Sequence, residues 1–281
     1  MSPDWCIGAQ KGRYLTPSAW RPRHVAPKRS RLHVQVILRS GARLLSATAV
    51  VPGVLAAGGC GAGGRFGFPE PASEQGGKIL GLWQGSVLVA LAVGALVWAL
   101  IVWTVLRYRR RDDTLPSQEP ENIPVEVAYT VAPLLVVAAL FGVTVFTQEE
   151  VTASDPDPDL VVEVTGFQWS WEFAYPDEGV EVVSNGDDPP RLVLPVGATV
   201  RFELATTDVN HSFWVPEFLV KRDLIQGVEN TIDVDVERAG EWTGRCAEFC
   251  GLDHWKMNFA VSAVPQGEFD RWVEAEQARA R

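Results

Sequence analysis

The order of apolar and polar positions divides the chain into stretches of different kinds. Two long runs, Ile79 to Leu106 and Val125 to Phe146, are nearly free of charge. At about 1.5 Å per residue each can cross a hydrocarbon layer of about 30 Å, so each predicts a membrane-spanning helix. From "ASDPDPDL" (153–160) onward, where repeated prolines stop any helix, the pattern changes. Short runs with alternation or β-branched enrichment follow: "LVVEVTG", "QWSWEFAY", "RLVLP", "TVRFELA", "TIDVDVE" and "NFAVSAV", punctuated by "SNGDDPP", "PVGA" and "ERAG". They predict a small antiparallel β-sandwich or barrel. The last segment, "PQGEFDRWVEAEQARAR", carries Phe269, Trp272 and Val273 at helical spacing and predicts a short amphipathic helix.

A third apolar run, Leu44 to Ala57, is too short to span and follows Arg39 and Arg43, the arrangement of a signal-peptide core. It ends at "LAAGGC", which is either a cleavage and lipidation signal at Cys60, as in bacterial lipoproteins, or the end of a simple signal peptide. The expected organisation is a leader and signal peptide over 1–60 and a Gly/Pro-rich flexible tether over 61–78. A two-helix membrane hairpin follows over 79–148, and a β-domain with a C-terminal helix over 149–281. "RYRRR" (107–111) directly follows the first run, and the positive-inside rule puts this loop in the cytoplasm and the β-domain outside. Trp83 and Trp103 are expected as interfacial anchors.

With 47% hydrophobic residues in 281, the chain is too apolar to be disordered. Its formal charge of −10 conceals a split: residues 149–281 hold 27 Asp/Glu against 10 Lys/Arg, a net of −17. An acidic domain repels nucleic acid and speeds encounter with a basic protein partner, although surplus acid also serves solubility.

Candidate chemistry is concentrated in "CAEFCGLDHWKM" (246–257), with Cys246, Cys250, His254 and Met257 on one loop between strand-like flanks. His211, in "TTDVNHSFWVP" about 35 residues upstream, is a fourth strong ligand that a sandwich can bring alongside. Outside residues 1–60 these five are all of the His, Cys and Met in the chain. A disulfide between the cysteines is allowed outside the cytoplasm but leaves the other three unexplained. Zinc accounts for two cysteines and two histidines but not for Met257. A mononuclear blue-copper site uses two His, one Cys and a weak Met, which leaves one cysteine over. Two coppers sharing both thiolates use the whole set, with His211 on one, His254 on the other, and Met257 and a loop carbonyl such as that of Glu248 as weak axial ligands.

Together, "EVAYTVAP", "TGFQWSWEFAY", "DVNHSFWVP" and "CAEFCGLDHWKM" resemble subunit II of the haem–copper cytochrome c oxidases, and the resemblance runs from Ile79 to the C-terminus. It implies an α+β membrane protein with a cupredoxin-like sandwich in the bacterial plasma membrane. It further implies a dinuclear CuA centre held by His211, Cys246, Glu248 through its carbonyl, Cys250, His254 and Met257. The Glu248 carboxylate matches a ligand of a magnesium ion shared with subunit I, and Glu126 matches the acid at the mouth of a proton channel. Trp169 matches the tryptophan through which cytochrome c delivers its electron, although Trp171 fits the sequence equally well. Asp208 and other acids near the copper loops are expected to form the docking face. Subunit I, with its haem and CuB, and cytochrome c are the implied partners, with membrane lipid and without nucleic acid.

Gln226 stands where the family commonly has proline, and Tyr129 where it usually has tryptophan. The chain has no C-x-x-C-H haem-attachment motif, so the electron donor is expected to be a separate protein. A quinol oxidase subunit would lack the copper ligands. A copper-delivery protein would not require the hairpin and "QWSW" together.

Overall fold

The computed structural model describes residues 64–115, 117–184 and 188–281. The leader expected over 1–60, with Cys60, lies outside the described residues. Two helices, α1 (Glu74–Arg107) and α2 (Ile123–Val151), are long and apolar enough to cross a membrane. Both outrun the apolar stretches that announced them. Hydropathy marks only the part that faces lipid, whereas the ends are fixed by caps. The Ser73 hydroxyl accepts from the Gly76 N–H at 3.1 Å and starts α1 five residues before Ile79. At the start of α2 the Asn122 side chain accepts from the Val125 N–H, and the Glu126 carboxylate accepts from the Asn122 N–H at 3.1 Å.

Among the described residues, the expected α+β architecture is completed by ten strands in two sheets. The first sheet has the order β3 (Val180–Val183), β2 (Ser170–Tyr175), β1 (Leu160–Phe167), β5 (Thr199–Thr206) and β8 (Asn230–Asp235). The second has β4 (Arg191–Pro195), β10 (Asn258–Val264), β9 (Gly240–Cys246), β6 (His211–Val215) and β7 (Val220–Leu224). The sheets are mixed rather than purely antiparallel, since β1 pairs with β5 and β4 with β10 in parallel. Alternation reports which face of a strand is buried, and it is blind to the direction of the neighbour.

Every second residue of β1 and β5 enters the space between the sheets, including Val162, Val164, Val200, Phe202 and Leu204. An aromatic cluster fills the middle: Phe213 stacks on Phe259 at 5.2 Å, and Trp171 meets Phe259 edge-on at 5.3 Å. The Phe259 ring occupies the place a Cβ would take at Gly244, so only glycine lets β9 lie over it. Helix α3 (Gln266–Arg279) closes the far end with Phe269 and Trp272 against Tyr175.

One expectation is corrected here. The stretch expected as a flexible tether is bound to the β-domain over residues 70–76. Ala72 donates its N–H to the Glu217 carbonyl at 2.8 Å, and its own carbonyl accepts from Glu237 at 3.0 Å. The Ser73 hydroxyl donates to the Phe218 carbonyl, and the Gln75 amide exchanges two hydrogen bonds with Asp235, at 2.9 and 3.0 Å. Composition suggested mobility because Gly and Pro are frequent there. The backbone nevertheless finds partners on the domain that follows it.

Candidate metal centre

Strand register assembles the site. Phe213 of β6 pairs with Cys246 of β9, which sets His211 beside the point where β9 ends. The loop from Cys246 to Met257 is closed at its base by the Cys246 N–H, which donates to the Met257 carbonyl at 3.0 Å. It is tied to β6 by the Ala247 N–H, which donates to the Ser212 carbonyl, also at 3.0 Å. Inside the loop Gly251 has a φ of +121°, where a side chain is strained. A short 3-10 turn, His254–Lys256, then swings His254 back toward the cysteines.

The five sequence candidates converge. The two Sγ atoms are 3.9 Å apart, and both thiols are free. His211 Nδ1 lies 3.8 Å from Cys246 Sγ, and His254 Nδ1 lies 3.5 Å from Cys250 Sγ. Met257 Sδ is 3.7 Å from Cys250 Sγ, and the Glu248 carbonyl oxygen is 3.2 Å from Cys246 Sγ. His211, Cys246, Cys250 and Met257 are all buried, and the ligand atoms of the first three lie within 4.8 Å of one another. A sulfur pair of this separation is far from the ~2.0 Å of a disulfide. A thioether is a soft donor at home with copper and out of place in a structural zinc site, so the donor set fits a copper pair.

Electrostatics points the same way. Burial works to raise the Cys246 thiol, but the His211 hydrogen bond and the backbone groups of Glu248 and Ser212 outweigh it and bring it down to about 7. Burial, together with the neighbouring Cys246 sulfur, pushes Cys250 up to about 12. Two thiolates this close do not ionise together on their own. A bound cation removes the conflict, because it takes both as thiolates.

Trp169 and Trp171 have different surroundings. The "QWSW" run is not one strand: Gln168 and Trp169 form the turn between β1 and β2, and Trp171 lies on β2. Trp171 is fully buried, and its indole N–H donates to the Met257 carbonyl at 3.3 Å. Half-buried Trp169 donates its indole N–H to the Cys250 carbonyl at 3.1 Å, and the Gln168 amide donates to the same oxygen at 2.7 Å. Glu126 sits in the first turn of α2, far along the chain from this loop, where its carboxylate caps the helix. The Glu248 side chain is exposed beside the loop.

Sequence reasoning passed over three features. Phe249, Leu252 and Trp255 are 78%, 82% and 72% exposed on the metal loop itself. Their signal was present in the motif, where apolar residues sit between the ligands. Gln168 carries no sequence signal beyond its place beside Trp169, and the strap at 70–76 is hidden by its composition.

Comparisons with known proteins identify the family. The cytochrome C oxidase subunit II periplasmic domain matches residues 160–264, and the transmembrane domain of the same subunit matches residues 62–146. A Streptomyces coelicolor protein described as "Probable cytochrome c oxidase subunit 2" is 37% identical over 250 residues, covering 75% of this chain and 78% of the relative. Cytochrome c oxidase subunit 2 of Mycobacterium tuberculosis is 32% identical over 269 residues, covering 74% of each. Among solved structures, the periplasmic domain of subunit II (CoxB) of Bradyrhizobium japonicum is 34% identical, with a TM-score of 0.41, covering 44% of this chain and 97% of that one. With the two membrane-crossing helices, the sandwich and the soft-donor loop in their order, the chain belongs to the cytochrome c oxidase subunit II family.

Proposed function

We propose that this chain is the electron-entry subunit of a respiratory cytochrome c oxidase, accepting electrons from cytochrome c and handing them to haem in subunit I, where oxygen is reduced to water with proton translocation. The observation that carries the proposal is the convergence of two thiols, two imidazoles, a thioether and a carbonyl on one point. His211, Cys246, Cys250, His254, Met257 and the Glu248 carbonyl would hold a CuA pair. When bound, it would supply rapid one-electron transfer.

The residues of the chain do the rest. Trp169 receives the electron, since its indole is the half-buried ring hydrogen-bonded to the backbone of a ligand. Buried Trp171 supports the loop from beneath. On the outer face of the sheet that carries the Trp169 turn, Glu163, Glu172 and Glu181 attract a basic donor. Partial burial, with Glu181 and Glu163 alongside, raises the Glu172 carboxyl above its ordinary range, as expected where like charges crowd. The exposed apolar trio Phe249, Leu252 and Trp255 suits a protein interface better than water. We assign that interface to the haem-bearing subunit, with the Glu248 carboxylate offered to magnesium at the border. Glu126, at the other end of the hairpin, is offered to a proton channel in the same partner. The β-domain lies outside the bacterial plasma membrane, with the basic loop after α1 inside.

The test is copper stoichiometry and electron paramagnetic resonance on the purified full chain, with copurification of haem-bearing subunits from membranes. Two coppers per chain sharing one electron support the reading. One copper with a localised signal supports a single-metal carrier and overturns it.

A further inference from the structure

We infer that residues 64–69, "GRFGFP", form an interfacial segment seated in the headgroup layer of the outer leaflet, with Phe66 and the Phe68–Trp83 pair against lipid and the Arg65 guanidinium on a lipid phosphate. The inference rests on the hairpin spanning the membrane and not on the electron-entry reading. Upstream of the strap the chain turns back along α1. The Phe68 ring stacks on Trp83 at 5.1 Å, and the Gln84 amide donates to the Gly64 carbonyl at 3.2 Å. Gly64, Phe66 and Gly67 all have positive φ, and the Phe68 N–H closes the turn on the Arg65 carbonyl at 3.1 Å. From its cap at Ser73 to Gln84, at about 1.5 Å per residue, α1 descends about 16 Å toward the membrane.

Charge boundaries on both helices put this level at the membrane surface. A hydrocarbon core of about 30 Å takes about 20 helical residues. Counted back from Arg107, where the basic loop begins, the core ends near Val87. Counted forward from Glu126 on α2, it ends near Phe146, just before Gln148, Glu149 and Glu150. Lys78 pairs with Glu150 at 3.7 Å, so the two helices agree on where the polar side begins. Trp83 and Gln84 lie between Lys78 and Val87, in the layer where aromatic rings gather. The side is fixed as well. Gly81, Leu82, Gly85, Ser86 and Val89 line the groove toward α2. At about 100° per residue, Trp83 and Gln84 point the opposite way, so the segment covers the face of α1 that α2 leaves open. There Phe66 is 38% and Trp83 37% exposed, an apolar surface at a depth where water gives way to lipid. Among the described residues the half-buried Arg65 side chain has no hydrogen bond or ion pair, and its Nε is buried without a partner. A buried donor left unpaired is costly. A lipid phosphate is the anion available at this depth, and its oxygens match the guanidinium fork.

The experiment places para-fluorophenylalanine at position 66 of the full chain, in nanodiscs of phosphatidylcholine and phosphatidylglycerol, and reads its fluorine NMR relaxation. The relaxing agents are a nitroxide on the lipid headgroup, a nitroxide at mid-chain and a water-borne gadolinium chelate. The headgroup nitroxide is expected to relax the fluorine most, ahead of both the mid-chain nitroxide and the chelate. Arg65→Gln shifts the balance from the headgroup nitroxide toward the chelate, while the circular dichroism of the β-domain stays that of wild type and certifies the fold. Inorganic phosphate added to the bulk leaves the wild-type balance unchanged. The same probe in the chain assembled with haem-bearing subunits, purified from membranes into the same nanodiscs, keeps its headgroup relaxation. Relaxation by the chelate alone would put the segment in water and overturn the inference. A fluorine that the assembled complex shields from all three agents is covered by a partner subunit, which overturns it equally. An Arg65→Gln protein that matches wild type removes the phosphate contact, and a balance that bulk phosphate moves to the Arg65→Gln value removes the lipid as its source.

Discussion

The strap at residues 70–76, which leads into the first turn of α1, and the metal loop at 246–257 both pack against the sandwich, and they are built on opposite plans. The strap buries Ala72, Ser73 and Gln75 and pairs their polar groups within the protein, backbone to backbone and amide to carboxylate. The metal loop buries its soft donors and turns Phe249, Leu252 and Trp255 to the outside. Its sulfur and nitrogen donors stand 3.5 to 3.9 Å from one another. The strap is complete in itself. On the proposed reading, the loop is arranged to take a cation among its sulfurs and nitrogens and another protein over its apolar side chains. Inverted burial is therefore the physical mark of function here, and satisfied burial the mark of structure.

Substitutions can break this contrast, and the largest effect is expected inside the loop. Cys246→Ser or Cys250→Ser removes one shared thiolate, so the delocalised copper signal should vanish entirely while the fold is retained, as read by electron paramagnetic resonance beside circular dichroism. Next come the two tryptophans. Trp169→Ala should slow electron entry from reduced cytochrome c by orders of magnitude at normal copper content in stopped-flow measurements. Trp171→Ala, which empties a fully buried ring site, should cost roughly 3 to 5 kcal/mol in denaturant unfolding. An exchange of the two outcomes would reverse the roles assigned to them.

Smaller effects are expected where structure alone is at stake. Gly244→Ala forces a methyl group into the Phe259 ring and should cost about 1 to 3 kcal/mol or more, seen as a lowered Tm. Gln75→Ala leaves the Asp235 N–H without its partner and should cost about 1 to 3 kcal/mol without moving the copper spectrum. If that spectrum changes, the strap and the loop are not independent. Met257→Leu is expected to be mildest for metal retention, shifting the reduction potential while both coppers stay bound.

Much of this was legible in the sequence, for reasons that differ from element to element. The helices announced themselves because lipid demands long apolar runs, and β1 and β5 because one face of each is buried. The ligands were legible because soft donors are scarce in this chain and five of them fall in two short motifs. Strand direction was not, because β1 alternates in the same way whether β5 runs with it or against it. The roles of Trp169 and Trp171 hang on where β1 ends and β2 begins, and nothing in "QWSW" marks its first two residues as a turn. The strap is not legible, because a Gly/Pro-rich composition predicts a flexible tether whether or not the backbone finds partners. The partners of Ser73 and Gln75, which lie about 145 to 160 residues further on, could not be seen from a local window.

The contrast between the complete strap and the receptive loop rests on the loop holding a copper pair. Its most direct test is the electron paramagnetic resonance spectrum of the copper-loaded full chain, with metal counted in the same sample. Two coppers per chain, with hyperfine structure showing one electron shared equally between two copper nuclei, is the predicted result. One copper per chain, or an electron confined to a single nucleus, would contradict it.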